Sequence, residues 1–312
     1  MEILLDKALG NLNAYLQTKD LVELRAFRAG QIWLDIKGRG SQCLEAPELT
    51  YDYWQNLCRT LSPDRKIGFN PTTRPVLSSR LPEGHRFEAV LGQLTDKEKF
   101  SVSIRLKPQK RFHFADFGLP EFLQEKLTLA VEQGQNIFVT GDLESGKTTF
   151  LNCLIACCPE YRRIAVIDEA KELEVTHLQA HSYFIKSQDQ SLSWEKVVDQ
   201  ISKTNPDLIV AGEMRFDNTL PLIQLLSSDH KVMTTVRAKS CRLALEQIIP
   251  QKLALRGHSF EGLADFLKET IEYVVHLTKT QEDNAIKIQV AEIWQPKTGY
   301  SWNGQTGEAD AA

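Results

Sequence analysis

The sequence predicts an α/β protein in two domains. An α+β N-terminal domain covers residues 1–106, a linker covers 107–119, and a domain built on a mostly parallel sheet covers 120–312. Three observations predict it. At 312 residues the chain is longer than one small core needs, and two domains is the natural division. From residue 120 onward, short and wholly apolar runs alternate with helix-like stretches, the pattern of parallel strands covered on both faces. Finally, NIFVT passes directly into GDLESGKTT, residues 141–149, a glycine-containing turn set between a strand and a helix.

The elements follow in order. The opening MEILLDKALGNLNAYLQ places acids among apolar residues and reads as an amphipathic helix, not a signal peptide. LVELRAFRAGQIWLDIKGRG holds two β-rich runs that meet at Ala29 and Gly30, a hairpin signal. ELTYDYWQNLCRTL carries apolar residues at helical spacing. FNPTTRPVLSSRLPEGHRFEAVLGQL and FSVSIRL are strand-like, with Pro-Glu-Gly as a turn between pieces. The basic, aromatic KPQKRFHFADFGLP precedes the change of pattern and reads as the linker. Beyond it NIFVTG, RIAVIDE, DLIVAGE and KVMTTV read as strands, separated by the helices TTFLNCLIACC, SWEKVVDQISKT and TLPLIQLLSS and followed by CRLALEQII. YVVHLTKT and IKIQVAEIW form a terminal antiparallel pair, and the small, polar tail NGQTGEADAA is expected to fray.

Composition narrows the function classes. With 37 basic and 41 acidic residues the net charge is −4, which points neither to a general polyanion binder nor to an acidic tail, and supports no argument for direct nucleic-acid contact. The six cysteines contain no C-x-x-C pair, so a zinc module and a secreted disulfide framework are both disfavoured. No run is long enough to span a bilayer, and the chain is expected to be soluble and cytoplasmic.

GDLESGKTT fits the phosphate-binding pattern G-x-x-x-x-G-K-[ST]. Gly141 and Gly146 let the backbone curl, so that amides of Asp142, Leu143, Glu144, Ser145 and the helix start converge on phosphates. Lys147 is the point charge for the outer phosphates and Thr148 the magnesium ligand, with Thr149 beside them in the nucleotide-binding stretch. The nucleotide is read as ATP with Mg2+. Asp142 and Glu144 are unusual company for an anion. A carboxylate about 4 Å from a phosphate charge costs roughly 4 kcal/mol at an effective dielectric of 20. Both acids are therefore expected to face solvent or a neighbouring subunit.

Three further strand ends carry polar groups. DLIVAGEMR places Glu213 where an acid reaches magnesium or its water shell, with Arg215 able to pair with a neighbour or the nucleotide. A capping or salt-bridged glutamate is the alternative. RIAVIDEAKEL places Asp168 and Glu169 at a strand end and Glu172 one turn on, positions from which a carboxylate orients the attacking water. Acids capping the next helix are the alternative here. KVMTTVRA supplies Thr234, Thr235 and Arg237. All these strand ends should open onto one crevice.

In this order the segments resemble the hexameric secretion-superfamily ATPases, the traffic ATPases at the cytoplasmic base of bacterial type IV secretion systems. GDLESGKTT resembles that family's Walker A, RIAVIDEAKEL its Asp box, PDLIVAGEMR its Walker B and DHKVMTTVRA its His box. LRAFRAGQIWLD and RPVLSSRLPEGHRFEAV…FSVSIRL resemble its N-terminal segments, so the likeness spans roughly residues 20 to 280. The resemblance implies a RecA-like P-loop domain and a homo-hexameric ring, with ATP between the N-terminal and RecA-like domains. Arg105 matches an N-domain arginine near the phosphates, and Arg80 and Arg86 stand as further candidates. Other ATPases of the same machine and its inner-membrane complex are the implied partners. The implied location is the inner face of the inner membrane, held peripherally. Glu144 stands at a family glycine, Asp168-Glu169 where the family has Glu-Asp, Arg237 at its histidine and Asp229 at a glycine of a His box one residue short. These departures imply hydrolysis that is slow alone or partner-dependent. A nucleotide-binding scaffold with lost hydrolysis, a related pilus or type II motor, and a small P-loop kinase stay open as alternatives.

Overall fold

Residues 2–62, 68–81, 83–92, 94–95, 100–107, 112–169, 172–184, 193–282, 285–304, 306 and 309–310 are described by the computed structural model. The chain divides into two units, Met1–Arg111 and Phe112–Ala312.

In the first unit, α1 (Glu2–Leu16) and α2 (Tyr51–Leu61) pack with an antiparallel sheet of β1 (Leu21–Arg28), β2 (Gln31–Ile36), β3 (Gly40–Glu45), β4 (Val76–Arg80), β5 (Arg86–Val90) and β6 (Ser101–Arg105). Its order is β3-β2-β1-β6-β5-β4. Alternate strand residues such as Leu24, Ala26, Ile32, Leu34, Phe87, Ala89, Val102 and Ile104 turn inward against Leu12, Trp54 and Leu57 of the helices. The hairpin at Ala29 and Gly30 is present, with Arg28 opposite Gln31 and Gly30 at φ +75°. β3 is not legible in the sequence: all six of its residues are exposed, so no burial alternation marks this edge strand.

The second unit contains α3 (Glu121–Glu132), β7 (Ile137–Gly141), α4 (Lys147–Ala156), β8 (Ile164–Ile167), β9 (Ala180–Tyr183), α5 (Trp194–Lys203), β10 (Leu208–Ala211), α6 (Thr219–Ser227) and β11 (Val232–Arg237). After these come a helical run of α7 (Cys241–Leu243), a π turn (Ala244–Ile248) and α8 (Ile249–Ala254), then α9 (Leu263–Thr270), β12 (Tyr273–Glu282), β13 (Ala285–Trp294), β14 (Ser301–Asn303) and β15 (Ala309–Asp310). The sheet order is β15-β14-β13-β12-β7-β11-β10-β8-β9, parallel from β12 to β9 and antiparallel from β12 to β15. The central parallel strands β8 and β10 are apolar throughout because successive residues enter opposite cores. Phe138, Ala165, Ile167, Ile209 and Ala211 join the helices from α5 to α9 on one face. Ile137, Val139, Ile164, Val166, Leu208 and Val210 join α3 and α4 on the other. Pro250 has no N–H for the preceding turn, and the helix widens to π spacing just before it.

Two expectations change. The aromatic half of the segment 107–119 forms a short 3-10 turn, Phe114–Phe117, in the core of the second unit, with both rings against Phe150 of α4 at 5.2 and 5.1 Å between centroids. Its residues 108–111 lie outside the described ones. Within the tail, Ala309–Asp310 pairs antiparallel with β14.

Candidate functional site

The phosphate loop is shaped by what surrounds it. β7 ends at Gly141, which sits between Arg237 of β11 and Leu277 of β12 in register. Gly141 has φ +153°, and a Cβ there would stand 2.6 Å from the Leu277 carbonyl oxygen and closer still to Ser145 Oγ. Gly146 has φ +82° as the N-cap of α4, where a Cβ would press on Ile288 at 3.1 Å. Gly141 has no room for a side chain, and at Gly146 one would be strained by the backbone and would require Ile288 to shift. Glu144 also adopts a left-handed φ, +59°, so it keeps the conformation that a glycine would supply. Its carboxylate turns to Lys279 Nζ at 3.1 Å, while Asp142 and Leu143 are exposed. Both loop acids are exposed, and Asp142 stays close enough to Lys147 to act on its ammonium.

Lys147 opens α4, and its Nζ donates to the Asp142 carbonyl at 2.5 Å. Burial pushes this ammonium down, Glu213 holds it up, Arg237 pushes it down and Asp142 holds it up. The four groups therefore share one electrostatic neighbourhood. Thr148 and Thr149 are half-buried on the first turn of α4. Ser145 Oγ is buried and, among the described residues, has no hydrogen-bond partner.

The turn after β10 is pinned from several sides. Met214 N donates to the Thr235 carbonyl and Thr235 Oγ1 to the Gly212 carbonyl, each at 2.8 Å. Asn218, fully buried, accepts from Arg215 N at 2.7 Å and donates to the Glu213 carbonyl at 2.8 Å. Buried Lys252 of α8 donates to the Met214 carbonyl. So held, Arg215 donates from Nε to Glu213 at 2.9 Å and from Nη1 to Glu169 at 2.8 Å. Trp194 Nε1 donates to the other Glu169 oxygen at 3.2 Å. Burial pushes the Glu169 carboxyl up against the pull of Arg215.

Asp168 is placed differently from its neighbour. It is buried, and its Oδ2 accepts from Leu173 N at 2.8 Å, tying down the turn after β8. Asn152 of α4 holds the same turn through the Glu172 carbonyl at 3.0 Å and the Glu174 amide at 2.9 Å. Of the sequence-predicted residues, the loop 141–149, Glu213, Arg215, Glu169 and Arg237 come together at one end of the sheet. Arg105 belongs to the first unit, where it lies across from Arg86 on one side and Glu23 on the other, with Arg80 opposite Arg86.

Trp194, Asn218, Lys252, His276 and Lys279 are additions that motif reading missed. A signal existed for Lys252, a lone cation in the apolar run IIPQKLAL. His276 of β12 lies 3.0 Å from Thr140 on the loop strand, and burial pushes its imidazole down. The donor set suits a nucleotide with a hard cation. Two glycines permit close backbone approach, an orphaned hydroxyl lies in the loop, and Thr148 and Glu213 offer the oxygen ligands magnesium prefers.

A parallel sheet whose strand ends carry this loop and these acids defines a two-unit P-loop protein of the RecA-like kind. The chain belongs to the Type II/IV secretion system protein family, whose model matches residues 22–303. It is similar to the type IV secretion system protein PtlH of Bordetella pertussis, 25% identical over 91% of this chain and 92% of that one. VirB11 of Brucella abortus biovar 1 is 24% identical over 95% of this chain and 91% of that protein. The solved ATPase DotB of Yersinia pseudotuberculosis shares the fold, with a TM-score of 0.65 at 16% identity, covering 94% of this chain and 80% of that one. Among the described residues no helix is long and apolar enough to cross a membrane.

Proposed function

We propose that this chain is the ATP-hydrolysing motor subunit of a bacterial type IV secretion system, coupling Mg-ATP hydrolysis to domain motion for substrate export or pilus assembly. The observation that carries this reading is the gathering of Lys147, Glu213 and Arg237 around the phosphate loop in a chain of this family. The loop amides and Lys147 bind and orient the β- and γ-phosphates. Thr148 and Glu213 would hold magnesium, which when bound offsets charge on the phosphate oxygens. Of the acids after β8, Glu169 reaches the Glu213–Arg215 cluster and is assigned to the attacking water, with Asp168 and Glu172 as its support. Arg237 is assigned to sensing the γ-phosphate as a permanent charge.

The working assembly in this reading is a hexameric ring, to whose nucleotide Arg105 of the N-terminal unit contributes. It operates at the inner face of the inner membrane, held there peripherally, beside the other ATPases and the inner-membrane complex of the machine. A second reading is a nucleotide-binding scaffold with weak hydrolysis, favoured by the engagement of both Glu169 oxygens by Trp194 and Arg215.

The test is steady-state phosphate release with Mg-ATP, beside Lys147→Ala, at protein concentrations that span oligomer formation. Turnover that disappears in Lys147→Ala and rises with assembly supports the motor. Equal release by the two proteins, with ATP still bound by the unsubstituted chain, selects the scaffold.

A further inference from the structure

The hairpin of β12 and β13 meets the phosphate loop at each of its three left-handed positions. The Leu277 carbonyl backs Gly141, Ile288 backs Gly146, and Lys279 Nζ bonds the Glu144 carboxylate at 3.1 Å. Two of these contacts act by shape, the Leu277 carbonyl leaving no room for a side chain at Gly141 and Ile288 crowding Gly146. The third acts by charge, at the one position of the three where a side chain is present. Lys279 is one-third exposed and Glu144 is 44% exposed, so the pair lies at the loop's rim and stays in reach of an arriving anion.

A glutamate here is a problem for a polyphosphate site. Held roughly 10 Å from a phosphate charge at an effective dielectric near 20, one carboxylate weakens binding by about tenfold. Left-handed backbone fixes the direction in which the Glu144 side chain leaves the loop, and Lys279 stands where it ends. A carboxylate bonded to an ammonium presents a dipole to the ligand in place of a net charge, and the field of a dipole falls off faster with distance. We propose that Lys279 is a positioning residue of the nucleotide site: it holds and neutralises Glu144, so that a glutamate-bearing loop still accepts a polyphosphate. This rests on the loop being the nucleotide site.

The experiment is a double-substitution cycle read by fluorescence titration with mant-ADP, at low and at high salt. It compares the unsubstituted chain, Lys279→Ala, Lys279→Arg, Glu144→Gly, the Glu144→Gly/Lys279→Ala pair, and Lys147→Ala. Lys279→Ala is expected to bind about tenfold more weakly at low salt, with a smaller loss at high salt. Lys279→Arg should bind as the unsubstituted chain does. In the Glu144→Gly background the loss on removing Lys279 should vanish. Lys279→Ala with unchanged affinity overturns the inference, as does a pair variant no tighter than Lys279→Ala, since Lys279 would then act on the nucleotide itself. Failure of the nucleotide-site reading looks different: the unsubstituted chain and Lys147→Ala would bind mant-ADP equally.

Discussion

Arg215 reaches Glu169 across 46 positions of sequence, its Nη1 donating at 2.8 Å, while its Nε holds Glu213 at 2.9 Å. One planar guanidinium therefore joins the acid that follows β10 to the acid that follows β8. The geometry uses two different edges of the fork, which an ammonium cannot reproduce. It also explains why three charged groups tolerate one another at a half-buried strand end: each carboxylate shares the same counter-charge.

Replacing Arg215 with alanine should leave two carboxylates facing each other without that charge. Glu169 already sits above the usual glutamate range because of burial, and Arg215 is the largest influence opposing the rise. Its removal moves the Glu169 carboxyl further up, so the ionised form is populated only at higher pH. We expect turnover to fall by about tenfold or more at neutral pH, with the acid limb of kcat displaced toward higher pH. Arg215→Lys should fall between the two. An acid limb that stays in place would remove Glu169 from the reaction.

Glutamate in a left-handed conformation costs roughly 1 kcal/mol relative to glycine, and its exposed bond to Lys279 returns only part of that. Glu144→Gly should therefore raise stability by about 0.5–1 kcal/mol in denaturant unfolding of the intact chain. Unchanged or reduced stability would mean that the Lys279 contact outweighs the backbone strain.

Glu144 and Asp229 show what was legible in the sequence and what was not. Both stand at glycine positions of the resembled family, and both keep left-handed φ values, +59° and +61°. The pattern departs in residue type while the backbone conformation persists. The parallel strands were readable because burial on both faces makes them uniformly apolar, as in IFVTG and LIVA. β9, with the sequence AHSY, was not, because it is polar and half-exposed at the sheet edge and is defined by its pairing with β8 alone. In the site, Lys147, Glu213 and Arg237 follow from strand ends in a local motif. Trp194 and Lys279 do not, because each reaches the site from an element distant in sequence, and the lone cation Lys252 is visible in its apolar run while the carbonyl it meets is not.

Asp207 ties the start of β10 to the start of β8. It accepts from the Arg163 guanidinium at 2.9 and 3.2 Å and from the Arg163 amide at 2.9 Å, and these bonds pull its carboxyl from 3.8 to about 2. A depressed acid stabilises the folded state above its unfolded value, and that stability is lost as pH falls from 3.8 toward 2. Because the pair is partly exposed, Asp207→Asn should cost about 1 kcal/mol or less at pH 7. The difference between the two proteins should close across the interval from pH 4 to about 2 in acid titrations of unfolding. A difference that persists unchanged to the lowest pH would assign the effect to packing and not to charge.

Arg237 closes β11 directly opposite Gly141, is exposed, and lies near enough to depress the Lys147 ammonium. An arginine at this place stays charged throughout the working range, so hydrolysis should show no limb near pH 6 that belongs to it. Arg237→His introduces one. Histidine titrates near 6.5 in water, so its charge changes within the working range. Turnover of Arg237→His should therefore fall as rising pH deprotonates the imidazole, toward the level of Arg237→Ala, which should be about tenfold or more below the unsubstituted chain at every pH. A pH profile of phosphate release for the three proteins decides it. If Arg237→His and the unsubstituted chain share one profile and one rate, the charge at position 237 does not act on the phosphates.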